Sequence, residues 1–340
     1  MASVDVVVPS YQYGRYLRDC VRSVLMQDVS DLRVLIIDNA STDDSVEVAR
    51  RLAAEDDRVE VVARPRNLGP HASYNEGIDW AAADYFLILC ADDYLLPGSL
   101  SRAIGVMEAN RNIHLFYGKA PLVSGGEYAA GEPVQQPVQQ PGYSWSLVPG
   151  NVYLEKLCRT ARCEVLGPTV VVRTSVQKEV GYYRDSLPHT DDVEMWMRFA
   201  CAGDLAETDA VQAVVRIHDT NRCSSLNTVH LWNLEMAAAF ASFFAREGAA
   251  LPDAARLHRM ARRTLAERAY WCALSHLCRR EPGISLDLLK FALKNCPDMA
   301  VVPPLSYLVR RSDSLDRIRK TVADMMAPLR RRRSGVGTEA

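Results

Sequence analysis

Short apolar runs alternate with amphipathic stretches through the first third of the chain, and this constrains the fold more than any other feature. Residues 4–8 form an apolar run broken only at Asp5 and closed by Pro9. Tyr16, Leu17, Cys20, Val21, Val24 and Leu25 then recur at helical spacing. Residues 34–37 are continuously apolar, as expected of a strand covered on both faces. Ser41 and Thr42 are cap candidates for a helix that buries Val46, Ala49 and Leu52. Residues 59–62 read as a third strand, and the turn Asn67-Leu68-Gly69-Pro70 leads into a helix ending near Ala83. A fourth strand follows at residues 85–89, then a helix opened by Pro97, then a fifth strand at residues 114–117. Strand and helix in this order imply a mainly parallel α/β sheet.

Residues 118–150 interrupt the pattern with Gly125-Gly126 and the repeat PVQQPVQQP, a composition that cannot pack a core and reads as an exposed loop insertion. Beyond it, residues 169–172 and 211–217 read as strands. Residues 191–202 read as a helix with Met195, Trp196 and Phe199 inward and Gly203 as its stop. From about Val229 helical periodicity takes over, with breaks at Pro252, Pro282-Gly283 and Pro297. The expected organisation is an α/β domain over residues 1–226, a helical domain over 227–330 and a disordered tail at 331–340.

The 340 residues carry a formal net charge of −2, which gives no support to nucleic-acid binding. The start lacks a signal-peptide pattern, and no run approaches the ~20 apolar residues of a spanning helix. The nine cysteines are scattered without a CxxC pair, as in a reduced, cytoplasmic protein. Residues 330–333 are all arginine and follow a pattern of Leu315, Ile318, Val322 and Met325, which fits a solvated basic tail or contact with an anionic membrane surface.

In an open parallel sheet, ligands bind at the carboxyl ends of the strands. Pro9-Ser10-Tyr11 follows the first strand, Asp38-Asn39 the second and Asp92-Asp93 the fourth. Asp and Asn after a strand also serve as caps for the next helix. Two adjacent carboxylates repel each other unless a cation or solvent offsets them, and Mg²⁺ commonly bridges one or two carboxylates to substrate phosphates. There is no GxGxxG, GxxxxGK[ST] or GxSxG motif, which removes the main support for dinucleotide, P-loop and hydrolase readings.

Six segments, in order, resemble inverting glycosyltransferases of family 2, which have the GT-A fold, a Rossmann-like mixed sheet. They are VVVPSYQYGRYLRDCVRSVLMQ, VLIIDNASTDDS, RNLGPHASYNEGI, ADDYLLPGSL, GPTVVVRTSVQKEVGYY followed by HTDDVEMWMRFA, and VVRIHDTNRCSS. The resemblance covers roughly the first 230 residues. It implies that Pro9, Ser10 and Tyr11 line the nucleobase and ribose, and that Asp38 or Asn39 hydrogen-bonds the base. Asn67 and Gly69 belong to the same nucleotide-sugar site. Asp92 is expected near ribose and metal, and Asp93 as the metal ligand. Asp192 is expected as the general base, and His218 at the metal or diphosphate. A divalent cation, Mn²⁺ or Mg²⁺, is implied as cofactor.

The implied donor is a nucleoside-diphosphate sugar, UDP ahead of dTDP and GDP, and the implied acceptor is a carbohydrate, lipid-linked or small-molecule hydroxyl or amine. The helical region is a candidate for homodimerisation or peripheral membrane contact. Asp191 beside Asp192 reads as the N-cap of the following helix. Three positions depart from the family pattern: Asn39 replaces a second acid, Tyr74 stands where relatives often have Arg, and Cys90 replaces the first acid of a DxDD run. His71, Arg216 and Arg222 are candidates to compensate for the missing charge at 74. The rival reading is a nucleotide-sugar-binding scaffold without catalysis. A nucleotidyltransferase ranks lower because PSYQYGR stands where a glycine-rich basic loop is needed.

Overall fold

Strand β1 (Ser3–Ser10) lies between two parallel neighbours, β2 (Asp31–Asp38) and β4 (Tyr85–Ile88), in a computed structural model that describes residues 2–124, 142–219, 221, 228–305, 307 and 319. The PVQQ repeat, Arg222, the pattern from Leu315 to Met325, the arginine run and the tail lie outside the described residues. β1 runs through Pro9 to Ser10 instead of ending at Pro9. The Pro9 carbonyl accepts the Ala91 N–H, so Pro9 faces the β4 side just past the last β4 residue, where the missing proline N–H breaks no ladder bond.

Between β1 and β2 lies α1 (Gly14–Leu25), and α2 (Ser45–Glu55) leads to β3 (Val59–Ala63). Helix α3 (Pro70–Trp80) then leads to β4, short of the expected end near Ala83. The reason is Asp5, fully buried in β1, whose Oδ2 accepts the N–H groups of Ala82 and Ala83 at 2.6 and 2.9 Å and thereby turns the chain out of the helix. Arg33 binds the same carboxylate bidentately at 2.9 and 2.7 Å. The one polar residue of the first apolar run is therefore a paired buried acid.

After β4 come β5 (Tyr94–Leu95), α4 (Ser99–Ala109), β6 (Ile113–Lys119), β7 (Leu122–Ser124) and β8 (Trp145–Val148). Then follow α5 (Gly150–Thr160), β9 (Val171–Arg173), α6 (Thr174–Val180), α7 (Asp191–Ala202), β10 (Asp204–Val211) and β11 (Ala213–Ile217). The main sheet has the order β3-β2-β1-β4-β9-β6-β10-β8, with β9 antiparallel to both neighbours. A small sheet, β5-β11-β7, sits beside it. Helix α4 begins at Ser99 and not at Pro97, because Gly98 adopts a left-handed conformation with φ 75° before the first turn.

Period-two alternation divides β1 between two cores. Val4, Val6 and Val8 pack with α1, α2 and α4, whereas Val7 joins a second cluster on the α3 and α7 face. Gly77 of α3 lies so close to β1 that a Cβ there would come within 2.7 Å of the Val7 side chain. The C-terminal helices α8 (Val229–Phe244), α9 (Ala254–Cys278) and α10 (Pro282–Asn295) extend this second cluster. Phe240, Phe243, Leu257 and Leu265 share it with Phe86 and Trp196. Full burial of each such aromatic side chain contributes about 1.5–3 kcal/mol. A charge network adds to the docking: Glu194 of α7, fully buried, pairs with Arg184 and Arg198, and Arg184 also binds Glu247 after α8.

Candidate functional site

The parallel ladder sets the register of the strand ends. Ser10 lies opposite Asp38, and the Asn39 N–H donates to the Ser10 carbonyl at 2.9 Å. Both Ser10 and Asp38 are buried, and Ser10 Oγ and Asp38 Oδ2 have no hydrogen-bond partner. The other Asp38 oxygen accepts the Ser41 N–H at 2.9 Å. A buried hydroxyl and half a buried carboxylate thus stand unpaired at the carboxyl edge of the sheet, an arrangement that costs free energy. Pro9 is half-buried and Tyr11 is exposed beside them.

Asn39 is used differently from the expectation. Its Nδ2 donates to Asn67 Oδ1 at 2.8 Å and to the Gly69 carbonyl at 3.2 Å. Its Oδ1 accepts from the Leu68 N–H at 2.9 Å and from Arg64 Nη1 at 3.2 Å. Both amide hydrogens and both lone pairs are spent within the protein, so this side chain shapes the turn at 67–69 and has nothing left for a base. Asn67 Oδ1 also receives the Gly69 N–H at 2.8 Å, and Gly69 has φ 83°, a conformation that favours glycine. Asn67 and Gly69 therefore belong to one turn tied to the end of β2.

The cap candidates Ser41 and Thr42 also have other partners. Ser41 Oγ accepts the Gln12 N–H at 2.9 Å, and Thr42 Oγ1 accepts from Gln12 Nε2 at 2.8 Å, tying the loop after β2 to the loop after β1. Asp44 takes the N-cap position of α2.

The acid pair is assembled by the small sheet. β5 and β11 pair antiparallel with Tyr94 opposite Val214, and extending this register sets Arg216 opposite Asp92. His218 Nε2 lies 3.2 Å from Asp92 Oδ2, and Asn221 Nδ2 donates to the same oxygen at 3.0 Å. The Arg216 N–H donates to Asp93 Oδ1 at 3.1 Å. Both acids are buried. Burial pushes each carboxyl above its usual range. The Asp92 charge raises Asp93 further, while His218 and Arg216 partly offset the effect on Asp92. His218 also stacks on Tyr16 at 5.3 Å and meets Tyr13 edge-on at 5.4 Å. Burial, and after it the charge of Asp92, raise the Tyr13 phenol.

Sequence reasoning read Tyr16 only as a helix-face residue and left Tyr13 and Asn221 unassigned. Their signal was position, Tyr13 and Tyr16 being three apart where α1 begins. Arg216, a candidate to compensate for the charge missing at position 74, donates from Nη1 to the Asp92 carbonyl at 3.2 Å, beside the acid pair. It is buried between the Tyr16 and Tyr94 rings, and its Nη2 binds Asp19 at 3.1 Å.

Among the described residues, no three His, Cys, Asp or Glu side chains gather as a metal cage. Two adjacent buried carboxylates of excess negative charge nevertheless fit a hard cation that takes one or two carboxylates and completes its shell with substrate phosphates and water. The imidazole of His218 faces Asp92, so in this arrangement it orients that acid.

The second acidic pair stands at the start of α7. Thr190 occupies the N-cap position and Asp191 is the first helical residue, which corrects the expectation that Asp191 caps the helix. Asp191 is buried, and its Oδ2 lies 3.1 Å from His71 Nε2, at ion-pair distance though out of line for a hydrogen bond. Asp192 is half-buried and its Oδ1 accepts the Val193 N–H at 2.6 Å. Tyr153, Cys163 and Tyr183 lie near enough for Asp192 to raise each of them further, after burial as the main cause.

Residues 5–129 match the family model described as glycosyl transferase family 2. A Campylobacter jejuni GalNAc(5)-diNAcBac-PP-undecaprenol beta-1,3-glucosyltransferase is 32% identical over 102 residues, 30% of this chain and 33% of that protein. An uncharacterised glycosyltransferase of Methanocaldococcus jannaschii is 25% identical over 197 residues, 57% of this chain and 63% of that protein. The chain thus spans one third to just under two thirds of the length of these relatives. Among solved structures, S. aureus TarS 1–349 in complex with UDP-GlcNAc superposes with a TM-score of 0.53 at 16% identity, covering 88% of this chain and 91% of that one. The mannosyltransferase PcManGT of Pyrobaculum calidifontis, in complex with GDP-Man and Mn²⁺, gives 0.52 at 16% identity, covering 96% and 85%. The fold is GT-A, with a helical C-terminal region.

Proposed function

We propose that the chain, whose residues 5–129 match the glycosyl transferase family 2 model, moves a sugar from a nucleoside-diphosphate sugar to a hydroxyl or amine acceptor, with inversion at the anomeric carbon. The observation that carries this reading is the pair of orphaned buried groups, Ser10 Oγ and Asp38 Oδ2, at the sheet edge that also holds Asp92 and Asp93. A uracil or thymine ring offers one N–H between two carbonyls, which suits one carboxylate oxygen and one hydroxyl. Guanine offers two adjacent N–H donors and suits a whole carboxylate, but here Ser41 already occupies the other oxygen. The site therefore favours a UDP or dTDP donor over GDP.

Asp92 and Asp93 are the residues that would hold a divalent cation, with His218 and Asn221 fixing the orientation of Asp92. Such a cation, when bound, offsets charge on the departing diphosphate. Asp192 takes the acceptor proton as the oxygen attacks, the role of a positioned carboxylate in general base catalysis. With one base and direct displacement, the new bond forms on the face opposite the leaving diphosphate. We assign catalysis to residues 1–226 and treat 227–330 as a helical domain packed on it. The protein works on the cytoplasmic side, on carbohydrate, lipid-linked or small-molecule acceptors. Among the described residues no helix is long and apolar enough to cross a membrane.

The test is a thermal-shift panel of UDP-, dTDP- and GDP-sugars, each with Mn²⁺, Mg²⁺ or EDTA. A ligand that binds only the native state raises the melting temperature. A metal-dependent rise is expected for UDP or dTDP donors, and it should be absent in Asp93→Ala. A rise with GDP donors alone would overturn the base assignment. No rise with any donor, together with no turnover of any donor, would favour a non-catalytic scaffold, a reading to which Asn39 and Cys90 lend their only support.

A further inference from the structure

Helices α1 and α2 pack side by side on the face of the sheet that buries Val4, Val6 and Val8. Between them runs an open groove of about 270 Å³. Its lining holds three arginines, Arg15, Arg18 and Arg51, against one acid, Asp19, and Val48 and Leu52 are its apolar part. Asp43 and Asp44 stand at its Gly14 end, where Asp43 Oδ2 accepts the Gly14 N–H at 3.1 Å.

The charges in the groove are not evenly matched. Asp19 is already paired, its Oδ2 accepting from Arg216 Nη2 at 3.1 Å. Arg15 stands exposed over the Tyr16 ring at 4.5 Å, and among the described residues no acid lies at ion-pair distance from it. Arg22, one turn beyond Arg18 on the same face of α1, likewise has no acidic partner among them. Arg18 binds Glu55 at 3.0 Å and Arg51 binds Glu47 at 2.7 Å, but all four side chains are exposed. Surface pairs of this kind contribute little, so a better anion can replace the carboxylate.

We infer that this groove is a binding site for a phosphate group, separate from the donor site, with Arg15, Arg18 and Arg51 as its ligands. A guanidinium is a planar fork that matches phosphate oxygens in pairs. Phosphate carries acceptor oxygens in several directions, so it can take forks from two helices at once, which a planar carboxylate does less well. The Tyr16 ring holds the Arg15 guanidinium in place before any ligand arrives. The same buried ring meets Arg216 at 5.1 Å, and Arg216 binds Asp93 and the Asp92 carbonyl. Tyr16 and Arg216 therefore stand between the groove and the acid pair, and occupancy of the groove needs neither donor nor metal. The phosphate can be a free anion or the headgroup of a lipid.

The test titrates inorganic phosphate into the full chain in EDTA and follows the backbone amide signals of residues 15–19 and 48–52. Saturable shifts are expected there, weakening as salt is added. Arg18→Gln/Arg51→Gln should weaken phosphate binding at least about 10-fold, and Glu47→Gln/Glu55→Gln, which removes the competing carboxylates, should strengthen it. Arg18→Lys/Arg51→Lys keeps the charge and the aliphatic stems but loses the forks, so it should fall between; it replaces the glutamine variant if that one does not fold. A second arm sediments the protein with vesicles of phosphatidylcholine alone or mixed with phosphatidylglycerol. Arginine-dependent binding to the mixed vesicles identifies a lipid headgroup as the ligand, and phosphate binding without vesicle binding identifies a free anion. Phosphate shifts absent from both segments, with no arginine-dependent vesicle binding, overturn the inference. So does a phosphate affinity that is the same in the native protein and in Arg18→Gln/Arg51→Gln.

Discussion

Asn39 Nδ2 donates to Asn67 Oδ1 at 2.8 Å, so this side chain is fastened to the turn at residues 67–69. The bond explains why an amide stands here. Two of its four partners, Asn67 Oδ1 and the Gly69 carbonyl, are acceptors, and a carboxylate could pair with neither.

Asn39→Asp is therefore expected to destabilise the protein even though the sequence resemblance implies an acid at this position. Two acceptors would face a buried carboxylate, a loss of about 1–3 kcal/mol, moderated by Arg64 at 3.2 Å. Urea unfolding measures it. Equal or greater stability in the variant would mean that the turn rearranges and that Asn39 does not hold it.

Asp192→Asn is expected to reduce kcat at least about 10²-fold while changing donor affinity little, because the amide keeps the shape but cannot take the acceptor proton. Transfer kinetics beside donor titration separate the two effects. Full turnover would remove Asp192 from the role of base.

Much of the N-terminal architecture could be read from the chain because its signal is local. The run around Val6 and the continuous run around Ile36 announce central strands, and the α7 boundaries at Asp191 and Ala202 follow from the acidic start and Gly203. Elements of low local signal were missed. β5 has two residues and β7 three, and each is a strand only because β11 lies beside it. β10 reads as the polar sequence DLAETDAV, and its position between β6 and β8 makes it a strand.

The site was legible to the same degree. Strand ends could be named from sequence, whereas partners depended on pairing across distant segments. Nothing in the sequence tells that His218 faces Asp92, that Asn39 is saturated, or that His71 meets Asp191 across more than a hundred residues.

The stability of the helical region should depend on pH through His258. Its ring stacks on Phe244 at 5.0 Å, and burial lowers its proton affinity below the ordinary 6.5, with Arg262 lowering it further. A depressed histidine favours its neutral form in the fold. Its contribution is complete above 6.5 and is lost as the pH falls below that value, where the unfolded chain binds more protons. His258→Phe keeps a ring against Phe244 and removes the titration. Between pH 7.5 and about 5.5 the native protein is expected to lose more melting temperature than the variant, and identical slopes would exclude His258 as a source.

Glu194 tests how the helical region is held. Its carboxylate is fully buried between Arg184 and Arg198, and burial raises it despite both guanidinium groups. Removing one partner of a buried charge cluster leaves the others uncompensated, so Glu194→Ala is expected to cost about 3–5 kcal/mol. Glu247, more exposed and paired with Arg184, should cost about 0–1 kcal/mol on the same substitution. Arg198 also donates to the carbonyls of Val180 and Tyr182, so losing Glu194 frees the segment leading to Asp192 as well. Chemical denaturation of both variants, read with donor turnover, separates the effects. A mild Glu194→Ala would show that packing of Phe240, Phe243 and Leu257 alone docks the helices on α7.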